Sequence, residues 1–187
     1  MSALLQVFSA FGLSASAGLN AYIPLLITAL LAKFTNLIQL EEPWNALTSW
    51  WTIGLLIVLT LVETVLDKVP VVNHVNDVVQ SLVRPTAGAI LFASSANIIT
   101  DIHPVLSLAL GLLISGSVNL VKTAAVRPAV AAGTAGVGNA PVSVMEDVAS
   151  TGISIIAIAI PIVIVVVVVL LIGWIIWRFV VRPLTSG

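Results

Sequence analysis

The hydrophobic residues of this chain fall into long blocks, and its charged residues collect at the borders of those blocks. The stretches without any charged residue include 1–32, 43–62, 85–100, 104–121 and 148–177. The hydrocarbon core of a bilayer is about 30 Å thick, and a helix of about 20 apolar residues crosses it. The pattern therefore predicts membrane-spanning helices.

We expect an all-α integral membrane protein, a single domain over residues 1–187 with a bundle of five to six transmembrane segments. The predicted segments are 4–33, 51–69, 85–100, 104–121, 128–145 and 148–178. Pro85 is expected to begin the third segment, because proline suits the first helical turn. Residues 71–83 predict a short helix at the surface or dipping into the bundle. The segment 128–145 is rich in glycine and alanine and fits a weak span, a re-entrant segment or a loop.

The composition excludes several other classes of protein. Charged residues make up 8% of the chain and hydrophobic residues 59%, whereas a soluble domain carries about 25% charged residues. The net charge of −1 argues against a nucleic-acid partner, and the absence of cysteine excludes disulfides and thiolate sites. Neither a phosphate-binding loop lysine nor a Gly-x-Ser-x-Gly elbow is present, so we expect no cofactor.

Small and polar residues lie in the middle of the first and fourth predicted segments. Ser16-x-x-x-Asn20 recurs as Ser115-x-x-x-Asn119, each within a run of small residues. Such residues let helices approach closely and bond across the contact. The pattern in the first segment fits either a packing seam or a helix broken near Pro24, since proline removes a backbone hydrogen bond.

The distribution of basic residues bears on topology and on internal repeats. Six segments with both termini in the cytoplasm place six of the seven basic residues on the cytoplasmic side, as cytoplasmic loops prefer. The two Ser-x-x-x-Asn motifs then lie on segments of opposite direction, which is the plan of an inverted repeat. A second repeated pattern, Val-Arg-Pro at 83–85 and 126–128, is expected on segments that run in the same direction.

The densest group of ionisable residues is Glu63, Asp67, His74, Asp77 and Arg84. Glu63 and Asp67 are four residues apart and share a helix face, as do His74 and Asp77. Ionisable groups at membrane depth are costly, and they pair or mark an ion or proton pathway. In one interpretation Glu63 and Asp67 accept protons or cations and Arg84 tunes them. In the other, Arg84 holds Asp67 or Asp77 in a structural ion pair.

A second polar group contains Gly138, Asn139, Pro141, Ser143, Glu146 and Asp147. The two acids could cap the N-terminal end of the last helix, where the helix dipole favours negative charge. Alternatively they face one cavity together with the first acidic group, where carboxylate oxygens could coordinate a cation. The spacing matches no metal signature, so a metal site stays undefined.

Three motifs resemble a known family of small bacterial membrane proteins, the domain of unknown function 4126. They are SASAGLNAYIPLL, DKVPVVNHVNDVVQSLVRPTAGA and GVGNAPVSVMEDV. The resemblance implies a multi-helix protein of the inner membrane and supplies no activity. The positions that match the family motifs are Asn20, Pro24, Asp67, Lys68, Pro70, His74, Asp77, Arg84, Pro85, Gly88, Gly138, Asn139, Glu146 and Asp147.

These features favour a transporter or channel for a small ion or solute, with proton coupling as one mode. The residues expected along the path are Glu63, Asp67, His74, Asp77, Arg84, Asn20, Asn119, Asn139, Glu146 and Asp147. One alternative is a scaffold or lipid-organising protein. Another is a lipid-modifying enzyme that uses Asp67, His74 and Asp77 for acid–base work. The expected partners are the bilayer, an unidentified ion or solute and a second copy in a homodimer.

Overall fold

A computed structural model describes residues 3–67, 70–96 and 103–176, and it places the side chains of 6–67, 76, 78–95 and 103–160. This part of the chain contains helices and no strand, which confirms the all-α prediction. The helices are α1 (Ala3–Leu19), α2 (Tyr22–Phe34), α3 (Trp50–Leu66), α4 (Pro70–Ala96), α5 (Pro104–Val121), a π-helical turn (Lys122–Val126), α6 (Arg127–Thr134) and α7 (Asn139–Ile176). A short 3₁₀ helix, Trp44–Thr48, precedes α3.

The first two helices form a hairpin that turns at Asn20. In a continuous helix the ring of Pro24 would clash with the Asn20 carbonyl four residues earlier, whereas in the first turn of a new helix it costs no hydrogen bond. The side chain of Asn20 caps that new helix, since its Oδ1 accepts from the backbone N–H groups of Tyr22 (3.0 Å) and Ile23 (3.1 Å). The chain then returns beside α1, and Ile38 reaches the same small cavity as Gln6.

Residue pairs between the helices fix their relative directions. Phe11 packs edge-on against Phe92 with ring centroids 5.3 Å apart, and Ser14 donates to the Gly88 carbonyl at 2.8 Å, so α1 and α4 are antiparallel. The helices α4 and α5 are also antiparallel, because Arg84 contacts Asn119 whereas Gly88 lies against Gly111. It follows that α1 and α5 run in the same direction.

The prediction of an inverted repeat is therefore wrong for the Ser-x-x-x-Asn motifs. Their helices, α1 and α5, are parallel, because the predicted segment 4–33 is a hairpin of two helices and adds a change of direction before α5. The Val-Arg-Pro tripeptides were expected on segments of the same direction, and this is also wrong. The first lies in α4 and the second at the start of α6, which continues α5 and so runs opposite to α4.

Several predicted segments differ from the helices. The segment 4–33 is two helices, and 85–100 is the second half of α4, which begins at Pro70 and absorbs the short helix expected at 71–83. Packing on both sides of Pro85 outweighs the hydrogen bond it removes, because Ser115 donates to the Arg84 carbonyl at 2.7 Å and Ser14 to that of Gly88. The predicted bounds 69, 97–100 and 177–178 lie outside the described residues.

The segment 128–145 is not a separate crossing. Its first part belongs to a continuous helix, Pro104–Thr134. That helix ends because Ala135 (φ 51°) and Gly136 (φ 86°) adopt the left-handed backbone of a helix C-terminus. The last helix already begins at Asn139, nine residues before the predicted 148. The glycine and alanine content thus marks a tight turn between two long helices.

Polar and apolar side chains are distributed inside out. The buried residues include many serines, amides and charged groups, whereas large apolar residues such as Trp51 (91% exposed), Leu82 and Val105 face outward. Two helices of the described chain, Pro104–Thr134 and Asn139–Ile160, are long and apolar enough to cross a membrane. The expected five to six spans are not confirmed by this measure, since α2 and α3 are apolar but shorter.

Close contacts between small residues hold the central helices together, as the small-residue pattern predicted. A β-carbon added at Gly18 would lie 2.6 Å from the Ser115 carbonyl oxygen, and one at Gly12 would lie 2.7 Å from the Ala157 β-carbon. Ser16 donates to or accepts from Ser150 and Ser154 at 2.8 and 2.7 Å. The first segment therefore contains both expected features, a packing seam and a break at Asn20.

Substitution of Gly88 should destabilise the protein. Its added β-carbon would lie 2.2 Å from that of Ser115 and 2.9 Å from the Gly111 carbonyl oxygen, so Gly88→Ala must force α4 and α5 apart. We expect a loss of about 1–3 kcal/mol in the free energy of unfolding, measured by dodecyl sulfate titration in mixed micelles. Gly54→Ala is the matched control, because a β-carbon added at Gly54 would meet no atom within 4 Å. Its free energy of unfolding should rise by up to about 1 kcal/mol. Equal stability of the two variants would contradict the packing.

Candidate functional site

Six charged side chains meet in the interior where α1 ends, α2 begins and α3 ends. We call this group the ion-pair cluster, and its members are Glu63, Asp67, Arg84, Lys122, Arg127 and Glu146. Each side chain is between 0 and 9% exposed. The cluster joins four parts of the chain, namely the end of α3, the middle of α4, the π-helical turn with α6, and α7.

One half of the cluster is organised by Arg84, which is fully buried. Its Nη2 donates to Glu63 Oε1 at 2.9 Å and lies 3.6 Å from Asp67 Oδ2. Its Nη1 donates to Asn119 Oδ1 at 3.0 Å. Arg84 therefore lies among the acidic residues with which the sequence grouped it, and Asn119 contacts the same guanidinium group.

The other half is organised by Arg127. Its Nη2 donates to Asp67 Oδ2 at 3.1 Å and to Glu146 Oε2 at 3.0 Å. Lys122 Nζ lies 2.8 Å from the same Glu146 oxygen. Since Asp67 Oδ2 is near both guanidinium groups, Asp67 links the two halves. It also accepts from Asn76 at 2.6 Å and Ser143 at 3.0 Å.

The π-helical turn brings Lys122 and Arg127 to one carboxylate. Residues five apart on a regular α-helix point about 140° away from each other. Here the Arg127 backbone N–H donates to the Lys122 carbonyl, which is the five-residue bond of a π-helix and aligns the two positions. The irregular turn therefore serves the ion pairing with Glu146.

The helix break at Asn20 is connected to the cluster through both of its ends. Lys122 Nζ donates to the Leu19 carbonyl at 2.7 Å and satisfies an otherwise open group at the end of α1. Asn20 Nδ2 donates to Asp147 Oδ1 at 2.9 Å, beside Glu146 on α7. A movement of the α1–α2 hairpin would therefore directly disturb the hydrogen bonds of Lys122 and Asp147.

A cavity of about 230 Å³ lies next to the cluster, between α2, α3 and α4. Its polar wall is formed by Tyr22, Glu63, Asn76 and Gln80. Two oxygens of these residues, Glu63 Oε2 and Gln80 Oε1, are buried behind the cavity wall without a hydrogen-bond partner. Buried polar atoms without partners are uncommon in folded proteins, so these acceptors mark a place where a donor from outside the protein can bind.

The structure brings most of the predicted path residues together. Glu63, Asp67, Arg84, Asn119 and Glu146 are in contact, and the pair of Asn20 with Asp147 adjoins them. The interpretation of Glu146 and Asp147 as helix caps is wrong, because α7 begins at Asn139 and both acids lie about two turns inside it.

The remaining predicted residues are placed only in part. Asn139 is the first residue of α7, and its buried Oδ1 has no hydrogen-bond partner among the described residues. His74 and Asp77 lie in α4, but their side chains are outside the described set. Among the described residues, no group of three or more His, Cys, Asp or Glu could hold a metal ion.

The predicted path residues did not include Lys122, Arg127, Asn76 or Ser143, although Ser143 belongs to the second polar group. One usable signal was the repeated Val-Arg-Pro tripeptide, since Arg84 and Arg127 both approach Asp67. No charge-pattern argument identifies Asn76 or Ser143, because amides and hydroxyls are common in small-residue helices. Their role follows only from the position of Asp67 between helices.

Two acids of the ion-pair cluster, Asp67 and Glu146, each have two basic partners, so each can lose one partner and stay paired with the other. Asp67 Oδ2 is shared between two guanidinium groups, and Glu146 Oε2 between Lys122 and Arg127. Loss or gain of one positive charge at either acid would redistribute the remaining pairs. Such a set of shared ion pairs is suited to couple the binding of a charge to a change in helix packing.

Comparison with known proteins places the chain in a family and gives no activity. No curated protein and no solved structure matches it. The resemblance seen in the three sequence motifs is confirmed over most of the chain. The family model DUF4126, a domain of unknown function, matches residues 7–181, and the protein belongs to that family.

Proposed function

We propose that this protein is a multi-pass membrane transporter or channel that moves a small ion or solute past the ion-pair cluster. We also propose five to six membrane segments in a bacterial inner membrane, and a homodimer. The inside-out distribution of side chains supports the membrane placement, since an exterior of large apolar residues suits lipid. The four helices that are apolar by composition supply much of that exterior.

The observation that carries the proposal is the buried ion-pair cluster at a broken helix. Buried ion pairs seldom stabilise a protein relative to well-packed apolar residues, so six buried charges are a poor device for stability alone. Ionisable groups inside membrane proteins mark ion and proton pathways. In many transporters, such sites lie where helices are discontinuous, as at Asn20 and the π-helical turn here.

Glu63 is the best candidate for the group that accepts the transported charge. One of its carboxylate oxygens is fixed by Arg84, and the other is buried without a hydrogen-bond partner in a side chain that borders the cavity. The carboxylate is therefore held in place and still has an oxygen free for an incoming proton or cation. Asp67 and Glu146, in contrast, are engaged by Arg127 and neighbouring groups.

A scaffold remains the competing function, and one observation favours it. The cluster contains three acids and three bases, and each acid has at least one basic partner. Such a balanced set could serve only to lock helices together. The two functions differ in what they predict for a conservative change at Glu63.

Glu63→Gln should strongly reduce transport while the protein stays folded. The variant keeps the side-chain volume and the oxygen that Arg84 contacts, but it removes the negative charge at the cavity. In liposomes carrying a pH dye and a set cation gradient, we expect flux to fall by about tenfold or more, which corresponds to losing one charged interaction. Glu41→Gln is the matched control, because Glu41 is exposed in the loop before α3.

Flux that disappears only in Glu63→Gln would support the pathway. Unchanged flux in that variant would place Glu63 off the pathway. Absence of flux in the wild-type protein across protons, alkali and divalent cations would favour the scaffold.

A further inference from the structure

The cavity beside the ion-pair cluster has chemistry that selects its occupant. Its two unpartnered atoms, Glu63 Oε2 and Gln80 Oε1, are both acceptors, on residues 1 and 3% exposed. The amide nitrogen of Asn76, on the same wall, already donates to Asp67. The Tyr22 hydroxyl on this wall is already hydrogen-bonded to Gln80. The unpartnered groups of the described wall are therefore acceptors, and they suit a ligand that donates hydrogen bonds.

The opposite wall of the cavity is apolar. It is formed by Leu59, Val62, Leu66 and Val79, and the last of these is 53% exposed at the rim. Its volume of about 230 Å³ exceeds the roughly 150 Å³ of a cavity that holds benzene. The space is thus larger than a single ion requires, and most of its surface suits carbon rather than water.

These properties argue against the simplest inorganic ligands. A divalent cation takes about six to eight oxygen ligands, whereas the described residues of the wall have two oxygens without a partner. An anion would face the same acceptors and be repelled. An ammonium group carries three donors and no acceptor, and the carbon atoms attached to it could pack on the apolar wall.

The geometry points to a primary ammonium group with a short apolar body as the ligand of this cavity. Glu63 Oε2 and Gln80 Oε1 accept hydrogen bonds from its N–H groups, while Val62 and Val79 contact its carbon atoms. The chemistry is shared by a free alkylamine and by the headgroup of an aminophospholipid, which could enter from the open rim. This inference rests on the proposed function, because it names the substrate class of the same site.

Binding of n-butylammonium to the full-length protein in detergent tests the inference by calorimetry. Butylammonium should bind, whereas sodium and tetramethylammonium, which has no N–H donor, should not. Glu63→Gln should weaken binding by about tenfold or more, through loss of a charge-assisted hydrogen bond. Equal binding of butylammonium and tetramethylammonium, or none of either, would overturn the proposal.

A variant at the rim guards against a folding defect in Glu63→Gln. Val79→Phe fills the cavity from its exposed edge and should remove butylammonium binding. Val78→Phe is the matched control, since Val78 is exposed on the same helix and does not line the cavity. Binding that survives Val79→Phe would place the amine elsewhere and contradict the proposal.

Nanodiscs of two compositions identify the source of the ammonium group. If the aminophospholipid headgroup is the ligand, phosphatidylethanolamine should compete with butylammonium and phosphatidylcholine should not. If a free amine is the ligand, the affinity for butylammonium should be the same in phosphatidylethanolamine and phosphatidylcholine nanodiscs. Butylammonium binding without flux would defeat the transport proposal alone, and flux without butylammonium binding would defeat this inference alone.

Discussion

Arg84→Ala should destabilise the protein by about 3–5 kcal/mol, the largest effect that we expect from a single substitution. The change removes the group that donates a hydrogen bond to Glu63 Oε1, and it leaves that carboxylate buried with no other ion pair among the described residues. Asn119 also loses its donor. The free energy of unfolding in mixed micelles, followed by tryptophan fluorescence during dodecyl sulfate titration, measures the loss.

A double variant distinguishes the effect of losing the whole Glu63–Arg84 ion pair on stability from the effect of losing one partner alone. Glu63→Leu combined with Arg84→Met replaces the pair by apolar side chains of similar size. Such replacements are often neutral or stabilising, so most of the stability lost in Arg84→Ala should return. If the double variant were as unstable as Arg84→Ala, the ion pair would be stabilising in itself. The interpretation that these buried charges are less stabilising than apolar side chains would then be wrong.

Arg127→Ala should give the next largest effect, about 3 kcal/mol, because one buried guanidinium contacts both Asp67 and Glu146. Asp67 keeps Asn76 and Ser143, and Glu146 keeps Lys122, so some compensation remains. The same unfolding titration measures it. Lys33→Ala is the matched control, since Lys33 is only partly buried and contacts a backbone carbonyl and the Trp50 ring, and it should cost less than about 1 kcal/mol.

The two arginine substitutions should also be coupled. Both guanidinium groups lie near Asp67 Oδ2, and groups that share a partner show interaction energies of about 0.5–3 kcal/mol. The double variant Arg84→Ala with Arg127→Ala should therefore depart from the sum of the single effects. Simple additivity would indicate that Asp67 does not connect the two halves of the cluster.

The sequence was sufficient to predict the helical class and one half of the site. Glu63 and Asp67 share a helix face, and Arg84 begins the next apolar block, so a charge inside an apolar run had an obvious partner. The other half required tertiary information. Arg127 is five residues from Lys122, which is the wrong spacing for a common face until the π-helical turn shifts the register.

The segment boundaries were less predictable, because proline has several uses. Pro24 breaks a helix, Pro85 lies inside one, and Pro128 follows the π-helical turn near the start of another. The outcome at each depends on side chains from other helices, such as Asn20 capping α2 and Ser115 bonding beside Pro85. Local propensity alone does not contain these contacts.

Flux through the Glu63→Leu, Arg84→Met double variant tests the central claim most directly. The variant should fold and insert with near wild-type stability, which removes the usual doubt about an inactive mutant. Reconstituted beside the wild-type protein, it should show no flux above empty liposomes, because the charge that faces the cavity is gone. Flux equal to that of the wild type would show that the cluster only holds helices together and would contradict the proposed pathway.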